Sequence, residues 1–122
     1  MSCLFNSLSH FIPESSNEIR QSICNYLEEN KPIIDGLDTK QILDMENPNY
    51  ISNMRSTSTW GGAIEIQVAC NIWALRILVR NYRDSDRKTI EFLPFSGMYD
   101  KTVEVYWTGG HYEPIQGTYG SK

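Results

Sequence analysis

The spacing of apolar side chains predicts helices in the first half of the chain. Residues 4–12 are apolar at helical intervals, and Pro13 ends this pattern. A second helix is predicted to begin after Ser15, because Glu18 stands three residues further on, as in a capping box. Residues 61–75 carry the strongest helical pattern. It is apolar on most sides, which is typical of a buried central helix.

Two shorter helices are predicted between these segments. Ile42 and Leu43 indicate the first of them. For the second, Asn47 has the side chain of an N-cap residue, and Pro48 follows at the position where a helix tolerates proline best. Met54 would then lie on the buried face of this second short helix.

The second half of the chain has the pattern of strands. Apolar or alternating runs predict strands at residues 76–80, 89–93 and 101–107, and one more strand opens at His111. We expect these strands to form an antiparallel set. Helices followed by strands indicate an α+β domain with a small antiparallel-rich sheet flanked by helices, or a three-layer version of it.

Length and composition indicate one folded domain. The 122 residues are 40% hydrophobic and 11% aromatic, which supplies enough apolar surface for a single core. We expect this domain to cover residues 1–116 and a flexible tail to cover residues 117–122. The net charge is −4, and Asp84 and Asp86 interrupt the densest basic cluster, which argues against a nucleic-acid-binding protein.

The cysteines indicate a reduced protein with free thiols. Cys3, Cys24 and Cys70 are odd in number and widely spaced, so neither a disulfide framework nor a Cys-x-x-Cys metal motif is present. We therefore expect an intracellular, cytoplasmic protein. With two histidines and no close Cys/His cluster, we expect no metal and no cofactor. No apolar run has the length of a membrane span, and no signal peptide is expected.

Cys3 is the first candidate for chemistry, because it stands at the start of the predicted first helix. The partial positive charge of a helix N-terminus stabilises a thiolate. The plain alternative is a buried thiol that acts as a small apolar side chain. Cys24 and Cys70 fit that alternative more simply, since both fall within predicted helices.

His111 and Glu113 form the second candidate. The two residues are two positions apart on a predicted strand, so their side chains point to the same face. A carboxylate beside an imidazole fixes the tautomer of the imidazole. A Cys near one end and a His near the other is a known pattern of cysteine proteases, whose partners meet in space. The alternative is an ordinary surface His–Glu pair. His10 is a competing base, but it lies about two helical turns from Cys3.

Four blocks in order resemble the ovarian tumour (OTU) family of cysteine proteases. Residues 2–8 (SCLFNSL) resemble the nucleophile motif, in which the Cys opens a helix. Tyr50 and Met54, followed by residues 60–66 (WGGAIEI), resemble the middle block. Residues 77–79 (ILV) match the strand after it, and residues 111–115 (HYEPI) resemble the histidine motif.

This resemblance implies a papain-like fold in a single OTU-like catalytic domain. It implies hydrolysis of peptide or isopeptide bonds after the C-terminal glycine of ubiquitin or a ubiquitin-like protein, by a monomer. Carried over to this sequence, Cys3 is the nucleophile, His111 the base and Glu113 the residue that orients it. Candidates for the substrate channel are Thr59, Trp60 and Tyr112, although Trp60 could instead be a core residue that caps the following helix.

The chain departs from the family pattern before the nucleophile. Family members carry an acidic-Gly-x segment there, whereas only Met1 and Ser2 precede Cys3. Two alternatives therefore stand beside a deubiquitinase: a catalytically silent OTU-like domain that binds ubiquitin, and a papain-like amidase or deamidase with another substrate. The compact form suggests a viral or otherwise pared-down protein, and a viral protein would act in the host cytoplasm.

Overall fold

The computed structural model describes residues 3–33, 36–57, 59–82, 88–109 and 111–114. Within them, helices precede strands, as the sequence pattern predicts. The elements are α1 (Cys3–Ser9), α2 (Ser16–Glu28), α3 (Thr39–Glu46), α4 (Tyr50–Met54), α5 (Ala63–Trp73), β1 (Leu75–Asn81), β2 (Thr89–Phe92), β3 (Lys101–Trp107) and β4 (Tyr112–Pro114). The α+β class is confirmed. The predicted tail at residues 117–122, Ile115 and residues 83–87 of the basic cluster lie outside the described residues.

The two predicted helix starts have opposite outcomes. At α2 the capping box is present, because Glu18 N donates to Ser15 Oγ and Ser15 N donates to Glu18 Oε1, at 3.1 and 2.9 Å. At α4 the prediction of Asn47 as N-cap is wrong. Asn47 instead ends α3 in an extended conformation, and its Oδ1 accepts from Asn49 N at 2.7 Å. The first helical residue of α4 is Tyr50.

The sheet is mixed, with strand order β2-β1-β3-β4. The β1–β2 and β3–β4 pairs are antiparallel, as expected, but the central β1–β3 pair is parallel. The chain leaves β2 at the end where β1 begins. Asp100 N then donates to Ala74 O at 2.7 Å, and β3 starts beside β1 in the same direction. The side-chain pattern within a strand carries no information on this direction, because both kinds of pairing have period two.

The core lies between one face of the sheet and the helices. Alternate residues of the central strands are buried there: Leu75, Ile77 and Val79 on β1, and Val103 and Val105 on β3. The other face of β1 carries Arg76 and Arg80, which pair with carboxylates on the neighbouring strands. As its apolar pattern predicts, α5 is central and packs on β1, β2 and α2.

The site is positioned by the contact between α1 and β4, which come from opposite ends of the sequence. Leu4, Phe5 and Leu8 are almost completely buried, so α1 is anchored firmly in the core. None of the described helices is both long and apolar enough to cross a membrane.

Candidate active site

A cleft of about 300 Å³ runs along the contact between α1 and β4. Its described lining residues are Cys3, Asn6, Ser7, His10, Trp60, His111, Tyr112, Glu113 and Pro114. The structure therefore brings together five of the six residues that the sequence predicted for the site. Larger cavities of about 500 and 470 Å³ lie elsewhere, but neither is lined by Cys3 or His111. We place the candidate site by its chemistry and not by cavity size.

Cys3 is the first residue of α1 and is partly accessible. Ser7 Oγ donates to Cys3 O at 2.8 Å, which ties the first turn of the helix to the next. The other two thiols are fully buried. Burial raises the pKa of Cys24 to about 11 and that of Cys70 to about 12. Both therefore stay protonated at neutral pH, and Cys3 is the accessible thiol of the described chain.

Glu113 holds the imidazole of His111. Its Oε2 is hydrogen-bonded to Nε2 of His111, although both side chains are about half exposed. When His111 is neutral, Nε2 carries the proton that it donates to the carboxylate. Nδ1 is then the nitrogen with a free lone pair, and it is the atom that can accept a proton from a thiol.

The β3–β4 hairpin fixes the position of His111. Thr108 N donates to His111 O at 3.0 Å, which closes the turn between the two strands. Gly109, inside this turn, has a φ of +107°, a conformation that favours glycine. The turn thus delivers His111 at the start of β4, beside α1 and the nucleophile.

The structure places Trp60 and Thr59, two predicted residues of the substrate channel, differently. Trp60 is 47% exposed and lines the cleft, which contradicts its alternative interpretation as a core residue. Thr59 lines the neighbouring 470 Å³ cavity, which Trp60 shares, but it is not among the described residues of the cleft itself. Its hydroxyl donates instead to Asn53 O at 2.5 Å, so this side chain braces the loop that carries Trp60.

Tyr112 forms part of the wall of the cleft. It is half-buried at the start of β4, where it pairs with Trp107 of β3. Burial is the main reason that its pKa is raised, and the negative charge of a Cys3 thiolate adds to that effect. Tyr112 therefore remains a neutral phenol beside the nucleophile.

The sequence reasoning did not assign Asn6, Ser7 or Pro114 to the cleft. Asn6 and His10 follow Cys3 at helical spacing, which is the signal that could have placed them on the same face. His10 lines the cleft as well, but seven residues of helix put it about 10 Å along the axis from Cys3. In the described part of the chain, no group of three or more His, Cys, Asp or Glu residues is arranged to hold a metal ion.

Comparison with known proteins agrees with this geometry. A family model described as OTU-like cysteine protease matches residues 2–112. The chain is 30% identical to the ubiquitin thioesterase OTU1 of Mus musculus over 94% of its length, and 27% identical to the OTU-domain deubiquitinating enzyme 9 of Arabidopsis thaliana over 93%. It spans about a third of each of these relatives, 33% and 32%.

Solved structures share the fold. An OTU domain in complex with ubiquitin superposes with a TM-score of 0.75 at 24% identity, covering 99% of this chain and 66% of that one. The viral OTU protease of Dera Ghazi Khan virus gives 0.68 at 22% identity, covering 94% and 74%. The family match spans nearly all of the sequence and includes both Cys3 and His111. The chain therefore belongs to the family of OTU-like cysteine proteases.

Proposed function

We propose that this chain hydrolyses peptide or isopeptide bonds after the C-terminal glycine of ubiquitin or a ubiquitin-like protein. One observation carries the proposal: Cys3, His111 and Glu113 lie in a single cleft, with the carboxylate bound to Nε2 of the imidazole. The names of the relatives support the choice of substrate, as does the ubiquitin bound to the OTU domain that shares this fold.

The first half of the reaction forms a thioester. Nδ1 of His111 takes the proton of the Cys3 thiol, and the sulfur attacks the carbonyl carbon of the glycine. The carbon–nitrogen bond then breaks, and the imidazolium returns its proton to the leaving amine. Glu113 keeps the imidazole in the correct tautomer and stabilises the imidazolium while it exists.

The second half releases the product. His111 takes a proton from water, and the resulting hydroxide attacks the thioester carbon. The sulfur leaves and regains its proton from His111, which restores the free enzyme. The backbone N–H of Cys3, at the first position of α1, has no acceptor within the helix and can stabilise the oxyanion. Loss of one such donor typically costs about a hundred- to a thousandfold in rate.

The walls of the cleft fit a substrate that ends in glycine. Trp60 and Tyr112 place two large rings beside Cys3 in a cleft of about 300 Å³. Residues without side chains can pass between such rings, whereas bulky residues next to the scissile bond would collide with them. We propose that Trp60 and Tyr112 select the substrate in this way.

The compartment and the oligomeric state form part of the same proposal. Cys3, Cys24 and Cys70 are all free thiols, which supports a reducing intracellular environment such as the cytoplasm. The proposed reaction uses residues of one chain, because Cys3, His111 and Glu113 all line the same cleft. We therefore propose that the protein acts as a monomer.

Reaction with a ubiquitin probe tests the proposal. Ubiquitin with a thiol-reactive group at its C-terminus should add to Cys3, as shown by intact mass and peptide mapping, and His111→Ala should abolish the adduct. Binding of ubiquitin without adduct or turnover would replace this proposal with a silent binding domain. A Cys3 that reacts with small reagents but never with ubiquitin-like probes would point to an amidase or deamidase.

A further inference from the structure

A buried polar cluster lies behind the cleft, and its three members come from three different helices. Arg20 of α2 is 0% exposed, Glu65 of α5 is 1% exposed, and Tyr50 of α4 is partly buried. None of the three is among the described residues that line the cleft. Buried charged side chains are costly unless they are paired, so their presence here needs a reason.

The two oxygens of Glu65 have separate partners. Oε2 accepts a hydrogen bond from the Tyr50 hydroxyl at 2.5 Å, and Oε1 accepts one from Gly62 N at 2.7 Å. The second bond holds the backbone that immediately follows Trp60 and Gly61. The carboxylate therefore fixes the turn at residues 60–62 relative to α5, while Tyr50 fixes the carboxylate.

The same turn presses directly on α1. A Cβ atom at Gly61 would lie 2.8 Å from Leu4 Cδ2 and 3.0 Å from Phe5 Cε2, so only glycine fits without a shift of these side chains. Leu4 and Phe5 are the two residues that follow Cys3. A displacement of this turn would therefore move the start of α1, and the nucleophile with it.

Arg20 also contacts Phe5. Its guanidinium carbon lies 4.3 Å from the centre of the Phe5 ring, and Nη1 donates to Met54 O at 2.7 Å. Burial lowers the pKa of the Arg20 guanidinium and raises that of the Glu65 carboxyl, and the attraction between the two charges acts against both shifts. The start of α1 thus contacts both Arg20 and the turn that Glu65 holds.

We propose that Glu65, held by Tyr50, is a positioning residue for the active site, which acts through Gly62 and the turn at residues 60–62 to fix the place of Cys3 relative to His111. The inference rests on the proposed role of Cys3 as nucleophile. It gives the buried charge a reason beyond stability, because the contacts lead from the carboxylate to the two residues next to Cys3.

Tyr50→Phe tests the inference, with Tyr26→Phe as the matched control. Each variant deletes one hydroxyl from a half-buried tyrosine, and Tyr26 OH donates to Pro32 O at 2.5 Å, outside the cleft. The readout is the rate at which iodoacetamide alkylates Cys3, measured from neutral to alkaline pH with peptide mapping. Alkylation needs the thiolate, so a base placed beside the sulfur speeds the reaction most at neutral pH, whereas hydroxide in alkaline solution can take the proton in its place.

We expect Tyr50→Phe to lower the neutral-to-alkaline ratio of the Cys3 alkylation rate about tenfold, while Tyr26→Phe leaves the ratio unchanged. Both variants should lose a similar amount of thermal stability. Equal ratios in wild type and Tyr50→Phe would overturn the inference and leave the cluster with a role in stability alone. If Tyr50→Phe does not fold, Gly61→Ala displaces α1 from the same turn, and an unchanged ratio in that variant would equally overturn it.

The alkylation assay contains no ubiquitin, so it separates this inference from the proposed function. The expected drop of the ratio in Tyr50→Phe, together with a wild-type chain that forms no adduct with the ubiquitin probe, would disprove the proposed substrate and leave the role of Glu65 intact. An adduct on Cys3, together with equal alkylation ratios in wild type and Tyr50→Phe, would support the proposed substrate and overturn the role of Glu65.

Discussion

The carboxylate of Glu113 binds Nε2 of His111 while 42% of its own side chain and 50% of the histidine side chain remain exposed. A hydrogen bond to a carboxylate in such an exposed position adds little to the stability of a protein, because water and salt screen it. Its value here is geometric, since it directs Nδ1 of His111 away from the carboxylate and leaves it free for a thiol. Activity and stability should therefore respond very differently to the loss of this carboxylate.

Glu113→Ala is expected to reduce kcat/KM for a fluorogenic ubiquitin amide by about ten- to a hundredfold, because the imidazole loses the group that orients it. The melting temperature should barely change. Glu91→Ala is the matched control, since Glu91 also forms an exposed ion pair on the sheet, with Arg76, but lies outside the cleft. Equal rates in Glu113→Ala and wild type would show that the carboxylate has no part in the reaction.

Cys3→Ala is expected to abolish turnover and to leave the melting temperature close to that of the wild type. Cys3 is only partly buried, so its loss leaves no closed cavity, whereas Cys24 and Cys70 are completely buried. Cys24→Ala and Cys70→Ala should instead lower stability by about 1–2 kcal/mol and keep the turnover rate. Residual turnover in Cys3→Ala would assign the nucleophile to another group.

Stability should fall as the pH rises above about 9, the ordinary pKa of a thiol. The pKa values of Cys24 and Cys70 are raised in the folded protein to about 11 and about 12. Above pH 9 the unfolded chain loses these two protons first, so the unfolded state is favoured increasingly up to the folded values. Each thiol contributes a slope of up to about 1.4 kcal/mol per pH unit in that range.

Urea unfolding curves at several alkaline pH values measure this slope, and Cys70→Ala should make it shallower. The wild-type free energy of unfolding must decrease with pH over this range. A slope that Cys70→Ala leaves unchanged would mean that the buried thiol does not titrate differently in the two states.

Trp60→Ala is expected to raise KM for ubiquitin substrates about tenfold with a small change in melting temperature, because this ring lines the cleft and is 47% exposed. Trp73→Ala is the control. Trp73 packs partly against the core at the end of α5, so its truncation should lower the melting temperature and spare KM. A lowered melting temperature with unchanged KM in Trp60→Ala, and a raised KM in Trp73→Ala, would show that Trp60 is not part of the substrate channel.

Much of the fold could be predicted from local signals in the sequence. The capping box at Ser15 and Glu18 needs only residues three positions apart, and the apolar pattern of α5 is complete within one segment. The candidate site could also be predicted, because Cys3 and His111 lie in segments that resemble the motifs of the family and fall within its match to residues 2–112, and Glu113 follows His111 two residues later.

Features that depend on residues far apart in the sequence could not be predicted. The parallel β1–β3 pairing is decided by where the chain crosses the end of the sheet, and no pattern within either strand records it. The burial of Arg20 depends on contacts between separate helices, so this residue resembles an ordinary surface charge in the sequence. Glu65 lies in the helix whose apolar pattern predicts burial, but its partner Tyr50 on another helix was not predicted. The hydrogen bond that turns the Thr59 hydroxyl back onto Asn53 has no signal in the sequence either.

The pairing of α1 with β4 has a consequence for the synthesis of the protein. Synthesis runs from the N-terminus, so the proposed nucleophile Cys3 is made before its base His111, which lies more than a hundred residues further along the sequence. Chains grow at about 5–20 residues per second, so Cys3 spends several seconds without His111 beside it. A nascent chain that has not yet reached β4 therefore has no assembled cleft, and any reaction that needs both Cys3 and His111 waits until β4 has added to the edge of the sheet.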